Sequence, residues 1–255
     1  MDGLFTLMSP EYLALAVLVA VVSGFVKGVV GFAMPTIFIS ALSSFLSPEL
    51  ALAGLILPTL ITNGMQALRQ GIGAAWASLK RFWVFLAVGG VMLVGSAQLV
   101  TLIPTRWLYV GIGVPVALFT GLQLLGWSPK LSGARKGVEV AVGAFAGFVG
   151  GLSGIWGPPT VLYLSAINTP KQEQMRIQGV VFGLGALLLF VAHLQSGVLR
   201  PETVPFSAAL VLPAVLGIWL GFQVQDRIDQ KRFRQITAWV LFLAGLNLIR
   251  RGLLG

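Results

Sequence analysis

The 255 residues include 17 Lys or Arg and 8 Asp or Glu, so 10% of side chains are charged, against about 25% in a typical soluble chain. With 56% hydrophobic residues and a mean hydropathy of +0.91, that charge cannot cover a soluble surface of this size, which places the chain in a lipid bilayer. Zero Cys and a lone histidine, His193, exclude disulfide scaffolds, thiolate chemistry and a multi-His metal site within one chain.

Met1-Asp2-Gly3 puts no basic residue before the first apolar stretch, so no cleaved signal peptide is expected. Uncharged runs then follow at 12–26 and 28–48 (interrupted by Lys27), 50–68, 82–105, 107–129, 140–170, 177–199, 203–225 and 235–249. A spanning helix needs roughly 20 apolar residues, and a plain count gives eight membrane segments. Arg232, Arg234, Arg250 and Arg251 flank the short last run and can snorkel to the interfaces.

Two regions, 10–46 and 138–168, exceed one crossing, and each breaks at a Gly/Pro cluster. The clusters are Gly24–Pro35 and Gly147–Pro159. At an offset of 123 they share six identities in twelve positions: Gly24/Gly147, Phe25/Phe148, Val26/Val149, Gly28/Gly151, Gly31/Gly154 and Pro35/Pro158. At an offset of 126 the pattern continues with Gly71/Gly197, Gly95/Gly221 and Arg106/Arg232.

The chain therefore reads as an all-α polytopic membrane protein made of two tandem repeats, each a broken-helix hairpin followed by three transmembrane helices. The first repeat, 1–126, holds the hairpin 10–46 and helices at about 48–69, 82–105 and 106–126. A polar linker, 127–137, precedes the second repeat, 138–255, with its hairpin 138–168 and helices at about 173–197, 203–225 and 233–252.

Basic residues set the orientation. If eight segments cross, the Lys and Arg divide nine against seven, which gives no bias. If the two broken regions return to the side they entered, twelve (Arg69, Lys80, Arg81, Lys130, Arg135, Lys136, Lys171, Arg176, Arg227, Lys231, Arg232, Arg234) face four (Arg106, Arg200, Arg250, Arg251). That is a positive-inside pattern. It leaves three crossings per half, which inverts the second repeat relative to the first and puts both termini outside.

The formal charge of +9 thus serves topology, and no nucleic-acid partner is expected. The expected location is the cell inner membrane, multi-pass. A homo-oligomer is compatible with the sequence.

The Gly/Pro breaks carry two readings: close helix packing of the small-xxx-small type, or broken helices whose exposed amides face an anion near the midplane. Met34-Pro35 and Gly157-Pro158-Pro159 break the helix outright, which packing does not require. On that ground Gly31, Phe32, Ala33, Met34, Pro35 and Gly154, Ile155, Trp156, Gly157, Pro158 are candidate substrate-binding residues. Lys27, the one charge in the first break, is either a substrate-attracting cation on a cavity wall or a snorkelling side chain; its repeat partner is Gly150.

Thr59, Thr62, Asn63 and Gln66 share one helical face, either lining a path or joining helices. We take Thr59, Asn63 and Gln66 as candidates, together with Gln178 at the start of its helix. None of the eight acids lies mid-segment, which argues against a cation carrier and for an anion held by amides, hydroxyls and Lys27. There is no P-loop and no credible Ser/His/Asp set, so no enzyme, cofactor or metal is expected.

The duplicated Gly24–Pro35 and Gly147–Pro159 pattern, Ser47-Pro48 with Ala51 and Ala53 in the next helix, and the full-length organisation resemble the TauE/SafE family of membrane exporters. The resemblance implies transport of sulfite, sulfonates or related organosulfur anions; it assigns no role to Lys27 or Gln178. The expected function is a secondary transporter for a small sulfur-containing anion, working by alternating access with a midplane site between the repeats. The alternatives are an anion channel of the same fold or a non-transporting integral membrane protein.

Overall fold

The computed structural model describes residues 8–97, 105–127, 136–153, 156–195 and 197–254, and among them it contains helices, turns and bends but no strand. In chain order the helices are α1 Pro10–Val30, α2 Met34–Leu42, α3 Pro48–Leu68, α4 Ile72–Arg81, α5 Trp83–Ala97 and α6 Thr105–Leu124. They continue as α7 Lys136–Ser153, α8 Gly157–Ala166, α9 Lys171–Gln195, α10 Val204–Ala209, α11 Val211–Arg227 and α12 Gln230–Leu254.

Among the described residues, five spans are long and apolar enough to cross a membrane: α1, α3, α9, α10 with α11, and α12. A sixth arises if α4 and α5, bent by 70° at Phe82, count as one span. Counted so, the crossing expected at 82–105 would begin earlier and bend where Lys80 and Arg81 close α4. Charged side chains held at the interface stop a helix from running straight into the apolar layer. In α6, Tyr109–Leu124 is apolar but shorter than a span.

The chain forms two compact packing units, 1–72 with 175–229, and 73–174 with 230–255, each drawing segments from both sequence halves.

In the first unit, α1 begins under a Ser9 cap, with Pro10 at its first turn, and ends at Gly31, whose φ of 89° is the left-handed C-cap geometry. Ala33, at φ 75°, then starts α2 with Pro35 in its first turn. This double left-handed link turns the chain back. Phe45 consequently packs its ring 5.5 Å from that of Tyr12, so the first broken region returns to the level at which it began.

Met34, Phe38 and Leu42 on α2 fill the space between Ala16 and Ala20 on α1, Ala51 and Leu55 on α3, and Phe206, Leu210 and Ala214. A helix of nine residues with no interior charge is stable in lipid only if its backbone bonds close internally and its neighbours pack it from all sides.

Helices α1 and α11 meet backbone to backbone. A β-carbon on Gly28 would lie 2.4 Å from the Ile218 carbonyl oxygen, and one on Gly221 2.3 Å from that of Phe25. The second unit repeats this device: α7 lies on α5 so tightly that a β-carbon on Gly147 would fall 2.1 Å from the Gly89 carbonyl oxygen. The first cluster holds both close packing and a helix break. Gly24 and Gly28 pack a helix, and Gly31 breaks it.

Within the second unit, the Glu139 carboxylate accepts the Phe85 N–H at 3.3 Å, capping the first turn of α5. Arg81 pairs with Glu173, and the Gln230 side chain ties the Lys171 N–H to the Thr169 carbonyl.

Candidate functional site

Lys27 lies on the last turn of α1 and is 2% exposed. Its Nζ donates to Asn63 Oδ1 at 2.5 Å and to Thr62 Oγ1 at 3.0 Å. The side chain therefore turns inward and does not snorkel.

Thr62 can accept because its own proton is directed elsewhere: its hydroxyl donates to the Pro58 carbonyl, one turn back, at 2.7 Å. The Asn63 amide nitrogen donates to the Phe182 carbonyl at 3.2 Å, which fixes the amide so that its oxygen faces Lys27. No carboxylate pairs with Lys27 among the described residues. Burying a cation with only neutral oxygens around it is costly unless an opposite charge joins it. One helical turn below, the C-terminus of α1 supplies partial negative charge that partly offsets this cost for the ammonium form.

The α3 stripe continues at Gln66, 1% exposed, whose Nε2 donates to the Gly31 carbonyl at 3.1 Å and the Met175 carbonyl at 2.8 Å. Its Oε1 accepts no hydrogen bond among the described residues. These bonds join α3 to the helix break and to α9. Both helices allow the contact because Gly179 has no side chain: a β-carbon there would lie 2.4 Å from the Ala67 amide nitrogen. Gln178, fully buried, brings its Oε1 against Gly31, and Met34 Sδ lies 3.5 Å from Thr62 Oγ1.

Of the residues expected from sequence, Lys27, Gly31, Met34, Asn63, Gln66 and Gln178 therefore gather around the first helix break. Phe32 and Ala33 form its buried link, and Pro35 is exposed in the first turn of α2. That turn has no side-chain cap; Pro35 has no N–H and the Ile37 N–H donates to the Ala33 carbonyl, which leaves the Met34 and Thr36 amides to meet another acceptor. Thr59 is 8% exposed and its hydroxyl has no partner among the described residues.

Trp156, Gly157 and Pro158 belong to the second unit, where the Trp156 carbonyl accepts from Thr160 at 2.9 Å at the start of α8. Gly154 and Ile155 lie outside the described residues.

Thr62, part of the polar stripe but not among the expected site residues, touches the lysine directly, whereas Thr59 one turn earlier does not. Its place beside Asn63 on the stripe was the available signal. The Met175 and Phe182 carbonyls had none, since a backbone acceptor leaves no mark on residue type.

The arrangement is a buried cluster with one basic group, neutral polar side chains and an uncapped helix start, and its chemistry suits an oxyanion. Among the described residues no group of acids and histidines is placed to hold a metal. No curated protein and no solved structure matches the chain. A family model does, over residues 16–248, and with five or six apolar spans it makes this a multi-pass membrane protein of a transport family: the chain belongs to the sulfite exporter TauE/SafE family.

Proposed function

We propose that the protein is a secondary transporter that moves a small sulfur-containing oxyanion, sulfite or a sulfonate, by alternating access through a site at the first helix break. The observation that carries this reading is Lys27, a buried basic group whose partners among the described residues are the neutral oxygens of Thr62 and Asn63. A substrate oxyanion supplies the missing negative charge. The uncapped amides at the start of α2 orient its oxygens, and Gln178 lies beside the same break.

Burial supports a carrier over a channel. Lys27, Thr62, Asn63, Gln66 and Gln178 are each at most 2% exposed, as a site closed between two gates requires. The site also joins the two sequence halves, because α1, α2 and α3 come from the first and α9 from the second.

The inverted-repeat topology belongs to the same proposal. Arg69 pairs with Asp226 and Arg176 bonds to Gln70, which brings basic segments of both halves to one end of the first unit. Arg200 and Glu49 pair at 3.0 Å near the start of α3. Those pairings match the count of twelve basic residues against four and disagree with eight plain crossings. The packing also follows the duplication: α1 lies on α11, and its repeat counterpart α7 lies on α5.

The test is counterflow in proteoliposomes with a panel of sulfite, methanesulfonate, thiosulfate, chloride and monovalent cations. Saturable exchange of the sulfur oxyanions is expected. Exchange of cations alone would reject the proposal.

A further inference from the structure

We propose that Lys27 is the proton carrier of the cycle, taking up one proton with each anion and releasing both on the opposite face. The inference rests on the transport reading above and adds the coupled ion to it.

Donors and acceptors around Nζ match one protonation state only. A neutral amine has two N–H groups, and Lys27 Nζ has two oxygen acceptors, Thr62 Oγ1 at 3.0 Å and Asn63 Oδ1 at 2.5 Å. An ammonium has three N–H groups, and the described residues offer Lys27 no third acceptor. The empty site therefore satisfies the neutral amine, and the third N–H needs an acceptor that arrives from outside. An oxyanion provides it together with the counter-charge. Protonation and anion binding then favour each other, and by linkage neither is complete without the other.

Among the described residues on the helices around it, no other ionisable group stands in for Lys27. On α1 itself the acid is Glu11, at the far end. Helix α2 carries no charge. On α3 the acid is Glu49, paired with Arg200 at the opposite end of that helix. On α9, Arg176 is bonded to Gln70, Glu173 is paired with Arg81, and Lys171 and His193 lie toward the two ends. On α11, Asp226 is paired with Arg69, and Arg227 closes the helix.

The step balances without any redox chemistry. On one face a proton from water adds to the Nζ lone pair, forming an N–H bond, as the anion enters. On the other face the anion leaves, that N–H bond breaks and the proton returns to water. One proton and one monoanion cross together, so the cycle moves no net charge.

The experiment uses the purified full chain in proteoliposomes containing a pH dye, with the membrane potential clamped. The probe is methanesulfonate, which stays ionised across the range used and cannot itself carry the proton. The wild type is expected to take up one proton per methanesulfonate and to accumulate it about tenfold per unit of pH gradient at equilibrium. In Lys27→Arg, whose guanidinium stays charged, whatever exchange remains is expected to move no proton. In Lys27→Met, uptake falls to the level of empty liposomes.

Methanesulfonate counterflow without proton uptake in the wild type would overturn the inference and leave the transport reading standing. So would gradient-driven accumulation that survives in Lys27→Met. Absence of counterflow for every anion in the panel would overturn both. The wild-type proton count decides the matter even if neither variant folds.

Discussion

Gly31 and Gln178 occupy one place: a β-carbon on Gly31 would fall 1.8 Å from Gln178 Oε1. Gly31 also holds a φ of 89°, where an L side chain costs about 1–2 kcal/mol. The clash can be relieved by swinging the flexible Gln178 away, but the backbone strain cannot. Gly31→Ala is therefore expected to lower detergent stability by about 1–2 kcal/mol and, separately, to move Gln178 out of the anion's reach. Transport assays should show a Gly31→Ala defect that Gln178→Ala largely reproduces without the loss of stability. Equal stability loss in both variants would contradict this.

Asn63 separates charge from structure. In Asn63→Asp the carboxylate becomes a permanent counter-ion for Lys27 and competes with the substrate. Oxyanion affinity is expected to fall by at least tenfold, about 1.4 kcal/mol, while thermal stability stays near wild type. Asn63→Ala instead leaves the Lys27 amine one acceptor short. That costs about 1–3 kcal/mol for a buried group left unmet. Isothermal binding of sulfite and a melting curve for each variant distinguish the two effects.

The helix breaks were legible in sequence because glycine and proline act locally. Gly31 ends α1 and Pro35 opens α2 where the clusters fall. The polar face of α3 was legible from its spacing, and Lys27 from being the one charge in an apolar run. What the lysine does with its side chain was not legible. Snorkelling and burial have the same local sequence, and only the meeting of α1 with α3 decides between them. The bend at Phe82 escaped as well, since residues 82–105 are apolar throughout and the helix before them holds only ten residues. Nor could the sequence show which glycines pack: Gly28 touches α11 while Gly64 touches nothing, and both sit in apolar helices.

That contrast makes a prediction about stability. A β-carbon on Gly28 would lie 2.4 Å from the Ile218 carbonyl oxygen and 2.8 Å from the Gly221 α-carbon, all backbone, which no rotamer change relieves. Gly28→Ala is expected to cost about 1–3 kcal/mol as overpacking. Around Gly64 there is no atom within 4 Å of the added carbon, and alanine favours the helix over glycine. Gly64→Ala is expected to gain about 0.5–1 kcal/mol. Thermal unfolding in one detergent orders the three proteins as Gly64→Ala, wild type, Gly28→Ala. A Gly28→Ala variant at least as stable as wild type would show that α1 and α11 are farther apart than described.

The hairpin reading of the first broken region is open to chemistry directly, since the wild type has no cysteine to remove. Tyr12 and Phe45 lie ring to ring, so the start of α1 and the end of α2 belong at one level. Helix α3 then provides 21 residues, about 31 Å at 1.5 Å per residue, enough to cross the apolar layer. Exposed Glu11 and Ser44 should therefore share a face, and exposed Gly73, after α3, should lie on the other. In right-side-out vesicles an impermeant maleimide is expected to label Glu11→Cys and Ser44→Cys but to reach Gly73→Cys only after permeabilisation. Labelling of Glu11→Cys and Ser44→Cys from opposite faces would mean that 10–46 crosses once instead of returning. The first half would then hold four crossings, an even number, which removes the argument for an inverted second half, while the charge count, set by 138–168, would stay at twelve against four.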